Sequence, residues 1–468
     1  MAHRYYGRTQ IFTDVEEINS GNVVAVIQKA MNTHRKNASE IRWLYNYYKG
    51  RQPIYSRTKE IRPEICNQIV ENWAHKIVSF KVGYICGSPI QYVSANSEKN
   101  VSDSIDKLNK CMEFEGKATS DKELFEWQSI CGTSYRMCLP SVGDNPFNLY
   151  TLEPSNTFCI YSNDYRKKKL AGVTYSEYED NGARIKHYSV YTDDKYYEIK
   201  DDALVVEGDN LIGIPIFEYP ANNARLGDFE IVLDLLNAIN DLDSNRLDGV
   251  EQFIQSLIVV YNATLGDATS NEIRDKGLIE LKSIGENKAD IKIISEELSQ
   301  DQTQTLKNDL IQRVRDICGL PSQGDGNTGD SSNNGAVLLK GGWEDAETRA
   351  KASETMFKKS ETEFLKTILL ICSYYENNGI KLEYKDIDIQ FTRRNYENLQ
   401  SKAQVLTSML AQDKIAPKLA FQSSGMFTDP EKAFRESQEY YDGIRRTEQP
   451  NNGVPNDGGT TEGQEETV

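Results

Sequence analysis

The sequence has little of what a catalytic or metal centre is normally built from. Its 468 residues include only 4 histidines and 8 cysteines. No two cysteines form a CxxC pair, so neither a zinc site nor a disulfide framework is indicated, and reduced, buried thiols are the simpler interpretation. The histidines lie outside GxSxG and HExxH patterns. The sequence therefore gives no sign of a hydrolytic centre.

Long apolar runs are also missing. No stretch reaches the ~18–20 residues that a membrane-spanning helix requires, and the mean hydropathy is -0.61. The opening residues, MAHRYYGRTQIF, lack the apolar core of a signal peptide. We therefore expect a protein that is made and used in a cytosol and does not contact a membrane.

Positive charge is scarce as well. The chain has 54 Lys and Arg against 71 Asp and Glu, a formal net charge of -17. A conventional nucleic-acid binder shows a basic patch, so this balance argues against one. It does not argue against a surface past which DNA slides without sticking. The short basic run Arg166–Lys169 is interpreted as a solvated hairpin tip.

Two helical patterns stand on either side of a polar loop. Apolar residues recur at helical spacing between residues 227 and 262, namely Val232, Leu235, Leu236, Ile239, Leu242, Val250, Phe253, Ile254 and Leu257. A single helix of this length would extend roughly 54 Å. A shorter helix is predicted near 301–318 and a long one near 336–375. Between them, Gly324–Gly335 contains no apolar residue, which is unusual enough to indicate function.

The rest of the chain mixes helices and strands. We predict two short helices within residues 20–49, one helix starting at Pro63, helical structure over 101–127, and then a β-rich region. Seven alternating runs are strand candidates: Tyr135–Leu139, Leu149–Leu152, Phe158–Tyr161, Gly172–Tyr178, Ile185–Tyr191, Lys195–Ile199 and Ala203–Val206. Two further strands are predicted at Ile90–Val93 and Ile387–Phe391, with short helices after residue 395. The predicted fold class is α+β.

The motifs for a nucleotide site and for a calcium site are both incomplete in this sequence. A P-loop needs GxxxxGK[ST], but Gly324–Gly335 contains no lysine, and Lys340 is not followed by Ser or Thr. An EF-hand starting at Asp241 would need Gly and Glu where Arg246 and Gln252 stand. No catalytic residue, cofactor or metal is therefore predicted, and the chain is not expected to be an enzyme. A nucleotide- or metal-using enzyme with the Gly/Asn/Asp loop as its site, or a monomeric adaptor protein, remains an alternative.

Several separate segments resemble the portal proteins of tailed bacteriophages, specifically those of long-tailed phages and prophages of Gram-positive bacteria. They are YNYYKGRQPI at Tyr45–Ile54, NQIVENWAHKIVSFKVGYICGSPIQY at Asn67–Tyr92, and ICGLPSQGDGNTGDSSNNGAVLLKGGWEDAETRAK at Ile317–Lys351. The resemblance extends over about residues 20–445. It depends on the order of elements and on local pattern, not on a catalytic signature.

The resemblance implies a portal fold with an α/β wing, a long helical stem, a small αβ clip and a helical crown. The implied boundaries are an N-terminal arm at 1–19, the wing at 20–226, stem helix 1 at 227–262, the clip at 263–298, stem helix 2 at 299–319, a tunnel loop at 320–335, a long kinked helix and wing strand at 336–394, crown helices at 395–446 and a disordered acidic tail at 447–468. Gly341 and Gly342 interrupt the long helix, as a kink would require.

The resemblance also implies a homo-oligomeric ring of ~12 subunits in the virion, assembled in the host cytoplasm around a channel for double-stranded DNA. Its implied partners are the terminase large subunit, scaffold and major capsid proteins, and head-completion or connector proteins.

Three sets of residues are candidates for this role. The loop residues expected to meet DNA are Asp325, Asn327, Asp330, Ser331, Asn333 and Asn334. The stem residues expected to face the channel are Asp234, Asp241, Asp248 and Glu251, whose charge would repel phosphate. The clip residues expected to face the terminase are Arg274, Asp275, Lys276, Glu286 and Lys288.

Overall fold

The computed structural model describes residues 7–60, 63–95, 99–180, 183–254, 257–261, 290–294, 300–321, 342–375, 379–392, 399–427 and 429–448. The fold is α+β, as predicted. The helices are α1 (Val23–Tyr48), α2 (Trp73–Ile85), α3 (Lys99–Phe114), α4 (Lys117–Cys131), α5 (Leu233–Ile254), α6 (Gln300–Cys318), α7 (Trp343–Tyr374), α8 (Leu399–Leu410), α9 (Pro417–Ser424) and α10 (Pro430–Glu448). Within these residues, no helix is both long and apolar enough to cross a membrane.

The strands confirm the β-rich region. They are β1 (Ile11–Thr13), β2 (Gln91–Ser94), β3 (Thr133–Pro140), β4 (Phe147–Leu152), β5 (Thr157–Ser162), β6 (Lys169–Asp180), β7 (Ala183–Tyr191), β8 (Lys195–Lys200), β9 (Ala203–Asp209), β10 (Ile216–Pro220), β11 (Leu257–Tyr261), β12 (Asp290–Ile294) and β13 (Ile387–Gln390). Each of the seven predicted runs lies within one strand of the series β3 to β9. The two remaining predicted strands correspond to β2 and β13, which pair antiparallel.

The main sheet has the order β1-β5-β6-β7-β8-β9. From β5 onward it is an antiparallel meander, and β1 joins its edge in parallel to β5. The residues predicted as an N-terminal arm therefore supply a strand to the wing. The same segment reaches the base of the stem, because buried Arg8 donates to Glu230 at 2.7 Å. A smaller sheet of order β10-β3-β4 completes the wing.

Two predicted helix boundaries in the wing differ from the structure. Residues 20–49 form the single helix α1, because a continuous stripe that includes Ile27, Met31 and Ile41 is buried along its whole length. Helix α2 begins at Trp73, ten residues after Pro63. Its start is fixed by Asn72, whose side chain accepts from the backbone N–H of His75 and so caps the first turn.

The stem region also differs from the prediction of one helix over 227–262. A 3₁₀ turn at Glu230–Val232 leads into α5, and α5 ends at Ile254. Residues Leu257–Tyr261, LIVVY, form β11, which pairs antiparallel with β12. Apolar β-branched residues suit a paired strand better than a helix, and this explains the change of structure after α5. The helical pattern alone could not show it.

The core has three large clusters, and in one of them α1 and β1 pack against the main sheet. The other two involve the helices that follow the sheet. One lies in the wing, where the middle of α7 packs against α3, α4 and the small sheet, with Phe357, Phe364 and Ile368 fully buried. The other joins α1 and α2 to the start of α5 and the end of α6, through residues such as Ile77 and Val314. This last cluster attaches the stem helices to the wing. Helices α8, α9 and α10 follow at the C-terminal end of the described chain, where crown helices are predicted.

Candidate functional site

Helices α5 and α6 form the hairpin predicted as the stem. Lys307 of α6 lies between two carboxylates, 2.8 Å from Asp243 of α5 and 3.0 Å from Glu71. One turn further along, Arg246 donates to Gln304 at 2.8 Å. Apolar packing is concentrated at the wing end of the hairpin. The contacts farther from the wing are therefore mostly polar.

A second feature of α5 is a row of buried polar side chains that bind the segment before α2. The backbone N–H groups of Asn67, Ile69 and Glu71 donate to the side chains of α5. The acceptors are Asp248 at 2.7 Å, Ser244 at 3.0 Å and Asn240 at 2.8 Å. Side chains four apart recur every ~6 Å along a helix. Alternate residues of an extended chain recur every ~6.6 Å, so the two spacings match.

Asp248 ends this row and is held by cations as well. Its carboxylate lies 2.8 Å from Arg57 and 2.5 Å from Lys59. Burial opposes ionisation of this group, but hydrogen bonds from Lys59, Asn67 and Arg57 outweigh it and lower the pKa of Asp248 to about 2. Asp248 is only 2% exposed. Within the subunit it therefore ties α5 to residues 57–67, and it does not present the solvated carboxylate that the sequence predicted.

The other three acids predicted to face the channel occupy different positions. Asp234 and Asp241 are exposed, and their separation of seven residues places them on the same side of α5. Asn245 is exposed on that side too. Glu251 is half-buried and lies on the side of Asp248. One exposed face of α5 therefore carries two of the four predicted carboxylates.

The two ends of the predicted loop meet. A Cβ atom added to Gly342 would lie only 3.6 Å from the Cα of Pro321. Helix α6 stops just before this contact, and α7 begins just after it. The loop residues predicted to meet DNA lie outside the described residues: Asp325, Asn327, Asp330, Ser331, Asn333 and Asn334. Their roles stay predictions.

The predicted clip residues also lie outside the described residues: Arg274, Asp275, Lys276, Glu286 and Lys288. What the structure gives for this insertion is the ribbon of β11 and β12, in which Leu257 pairs with Ile294 and Tyr261 with Asp290. The chain therefore leaves and re-enters the stem side by side.

The middle of α7 is fixed to the wing by a buried network of charges. Glu361 is fully buried and lies 3.1 Å from Lys117 and 3.2 Å from Arg136. Asp121 contacts the same two cations. Burial opposes ionisation of Glu361, but the charges of Lys117 and Arg136 outweigh it and hold its pKa well below the usual range. The carboxylate of Glu361 is therefore charged and holds α7 to these two cations.

Two tyrosines complete the network around Glu361. Tyr92 and Tyr219 each donate to its carboxylate at 2.6 Å. Burial and the charge of Glu361 raise the pKa of both hydroxyls well above the ordinary value. Four side chains from β2, α4, β3 and β10 thus converge on one residue of α7. Sequence periodicity gave no signal for this site, because its members lie far apart along the chain.

The described residues offer little for covalent or metal chemistry. No group of three or more His, Cys, Asp or Glu side chains among them is placed to hold a metal ion. Burial raises the pKa of the Cys131 and Cys159 thiols to about 12, which keeps them protonated and unreactive. Burial lowers the pKa of His34 to about 4, so this imidazole is neutral near pH 7.

The described residues thus contain a β-rich region, the two packed helices α5 and α6, and a long helix, α7, anchored in a buried charge network. The family model for phage portal proteins of the SPP1 Gp6-like type matches residues 27–448. The chain therefore belongs to that family of phage portal proteins, which are structural components of the virion.

Two further comparisons were made. No curated protein matches the sequence. Among solved structures, a chain from "Neck of empty GTA particle computed with C6 symmetry" is similar, with a TM-score of 0.42 and 11% identity. The similarity covers 75% of this chain and 90% of that chain.

Proposed function

We propose that this chain is the portal vertex subunit of a tailed phage. It forms a ring of about twelve copies around a channel through which double-stranded DNA enters and leaves the capsid. The observation that carries the proposal is the family match over residues 27–448. The chain acts as a conduit and has no catalytic role, since the force on the DNA comes from a separate terminase ATPase.

The exposed face of α5 supports a role in passing DNA. Asp234 and Asp241 lie on one side of the helix, and no Lys or Arg of α5 itself shares that side. Asn245, on the same side, accepts from Arg57 of a neighbouring segment. Duplex DNA carries about one negative charge per 1.7 Å, so carboxylates facing it repel phosphate and prevent tight binding. A channel must allow movement, and lysine or arginine contacts would oppose it. This face therefore lines the channel.

The partners are assigned by position. The insertion that starts from the β11–β12 ribbon is the clip, and it docks the terminase large subunit during packaging and head-completion proteins afterwards. The segment 320–335 is the tunnel loop. The wing contacts scaffold and major capsid proteins during assembly in the host cytoplasm. These assignments follow from the family and from the predicted order of parts.

The decisive experiment is assembly of the full chain with its scaffold and capsid proteins, followed by electron microscopy. The expected result is a ring with a central channel, and proheads containing it should package DNA when terminase and ATP are added. A species that stays near 53.1 kDa in the presence of scaffold would favour an adaptor. ATP turnover by the purified chain alone would favour an enzyme. Either result would contradict the proposal.

A further inference from the structure

One arginine links the two helices that flank segment 322–341. Arg349, in the second turn of α7, reaches back to the end of α6. Its Nη1 donates to the carbonyl of Ile317 at 2.8 Å, and its Nη2 lies 3.5 Å from the carbonyl of Asp316. Its Nε donates to Asp345 at 2.9 Å, which holds the guanidinium in this orientation. One side chain thus joins the helices on both sides of the segment.

The end of α6 is shaped to receive this arginine. Gly319 has a φ of +63°, and the N–H of Leu320 donates to the carbonyl of Arg315 at 2.9 Å. This is the Schellman arrangement, which satisfies the carbonyls of Arg315 and Asp316 and leaves that of Ile317 free for another donor. Arg349 supplies the donor. Its positive charge also lies at the negative end of the α6 dipole.

Gly319 leaves room for Arg349. A Cβ atom at Gly319 would lie 2.5 Å from both Cδ and Nε of Arg349, and 3.0 Å from Oδ2 of Asp345. The glycine is therefore required twice, for its backbone conformation and for the space above it. The start of α7 is held independently by Trp343, whose ring centroid lies 5.9 Å from that of Tyr84. The two ends of segment 322–341 are thus held by more contacts than a simple turn requires.

We propose that Arg349 is a positioning residue. Together with Gly319, Pro321, Gly342 and Asp345 it forms a clasp that keeps the two ends of segment 322–341 in contact. The clasp fixes the place and direction in which the segment leaves the subunit. Its consequence for DNA passage depends on the proposed portal function, but the clasp itself belongs to the single subunit.

The first test measures the clasp without reference to DNA. Hydrogen exchange of the full chain is compared for wild type, Arg349→Met and Arg349→Lys, with Arg313→Met as the control because Arg313 is an exposed arginine of α6. In Arg349→Met, amides of residues 315–320 and 343–350 should exchange about tenfold faster, while those around Glu361 stay unchanged. The Lys variant should recover only part of the protection, since an ammonium lacks the planar fork of the guanidinium. Unchanged exchange in Arg349→Met would overturn the proposal.

The second test separates positioning from general stability. In the Arg349→Met background, Pro321→Cys and Gly342→Cys are added so that oxidation closes the segment covalently. Oxidised proheads should regain packaging that the reduced ones have lost. Packaging by Arg349→Met at the wild-type rate, or no recovery on oxidation, would overturn the positioning role. If wild-type chain forms no packaging-competent ring at all, the portal function fails, whereas the exchange result still decides the clasp.

Discussion

The wing and the stem hairpin both hold carboxylates against cations, but water reaches the two sites to different degrees. Around Glu361 the side chains of Arg136 and Lys117 are 0% and 5% exposed. Around Asp248 those of Arg57 and Lys59 are 15% and 27% exposed. Removing one partner of a fully buried ion pair leaves an uncompensated charge and destabilises the fold. Removing one partner of a hydrated pair costs less, because water solvates the charge that is left. The wing network therefore fixes α7 more firmly than the more hydrated Arg57 and Lys59 fix α5 to residues 57–67.

The largest expected effect is at the buried wing network. Glu361→Gln removes the anion that Arg136 and Lys117 share, and leaves their charges only partly compensated by Asp121. We expect the free energy of unfolding to fall by about 3–5 kcal/mol, measured by urea denaturation. Glu363→Gln is the matched control, because its side chain is 56% exposed and lies 3.7 Å from its nearest cation. Equal losses in both variants would remove the distinction between dry and hydrated sites.

The second largest expected effect is a pH dependence of stability that comes from His34, which packs against the main sheet. Burial lowers the pKa of His34 to about 4, and its ring packs 4.4 Å from Phe158. In the unfolded chain His34 becomes protonated below pH ~6.5, whereas in the folded chain it becomes protonated only near pH 4. Stability from this group is therefore complete above pH ~6.5 and is lost as the pH falls towards 4, by about 3 kcal/mol.

His34→Phe should reduce that pH dependence. The carbonyl of Ser155, which His34 contacts, keeps the hydroxyl of Tyr175 as a donor at 3.1 Å. Unfolding free energies measured between pH 7 and pH 4 should show a shallower slope in this variant than in the wild type. A slope unaffected by His34→Phe would place the pH-sensitive group elsewhere.

The third effect lies in the hairpin and should be smaller. Asp248→Asn keeps the shape but loses the charge that Arg57 and Lys59 contact, and we expect a loss of about 1–3 kcal/mol in unfolding free energy. Because the pKa of Asp248 is lowered to about 2, its contribution is present above pH ~3.9 and is lost as the pH falls towards 2. Asp309→Asn, at an exposed position of α6, is the control. A loss as large as that of Glu361→Gln would show that both regions are equally rigid.

The smallest effect on stability is expected at the exposed face of α5. Asp234→Lys combined with Asp241→Lys should change the unfolding free energy by no more than about 0.5 kcal/mol, yet slow packaging by proheads, because the introduced cations attract phosphate. The control is a pair of exposed wing acids, Asp144→Lys with Glu207→Lys. Equal packaging rates for the two double variants would argue against this face lining the channel.

Much of the fold could be predicted from local pattern. Strands β3 to β9 were found because period-2 alternation and turn residues are local signals. The helix predicted from Pro63 was wrong in its start, because residues 67–71 are held extended by side chains of α5, more than 160 residues away. Asp248 was assigned to the solvated face for the same reason. The sequence alone does not show whether a polar residue of a helix is solvated or binds a backbone N–H group far away in the chain.

The anchors of α7 were beyond the reach of sequence pattern for a related reason. Glu361 and Arg349 each look like ordinary charged residues of an exposed helix, and their roles depend on partners from other elements. A weak signal was present at Gly319, since glycine just after a helix indicates a Schellman end. The tight space above that glycine is a property of the folded chain alone.

Because Pro321 and Gly342 are in contact, the number of residues between them does not determine the geometry of the rest of the subunit. Closing a longer loop adds only about 0.6 kcal/mol per doubling of its length, and neither α6 nor α7 has to move to accommodate it. The number of residues between them can therefore change without a change in the described residues on either side. A fluorescent or affinity tag inserted there should leave the fold of those described residues intact.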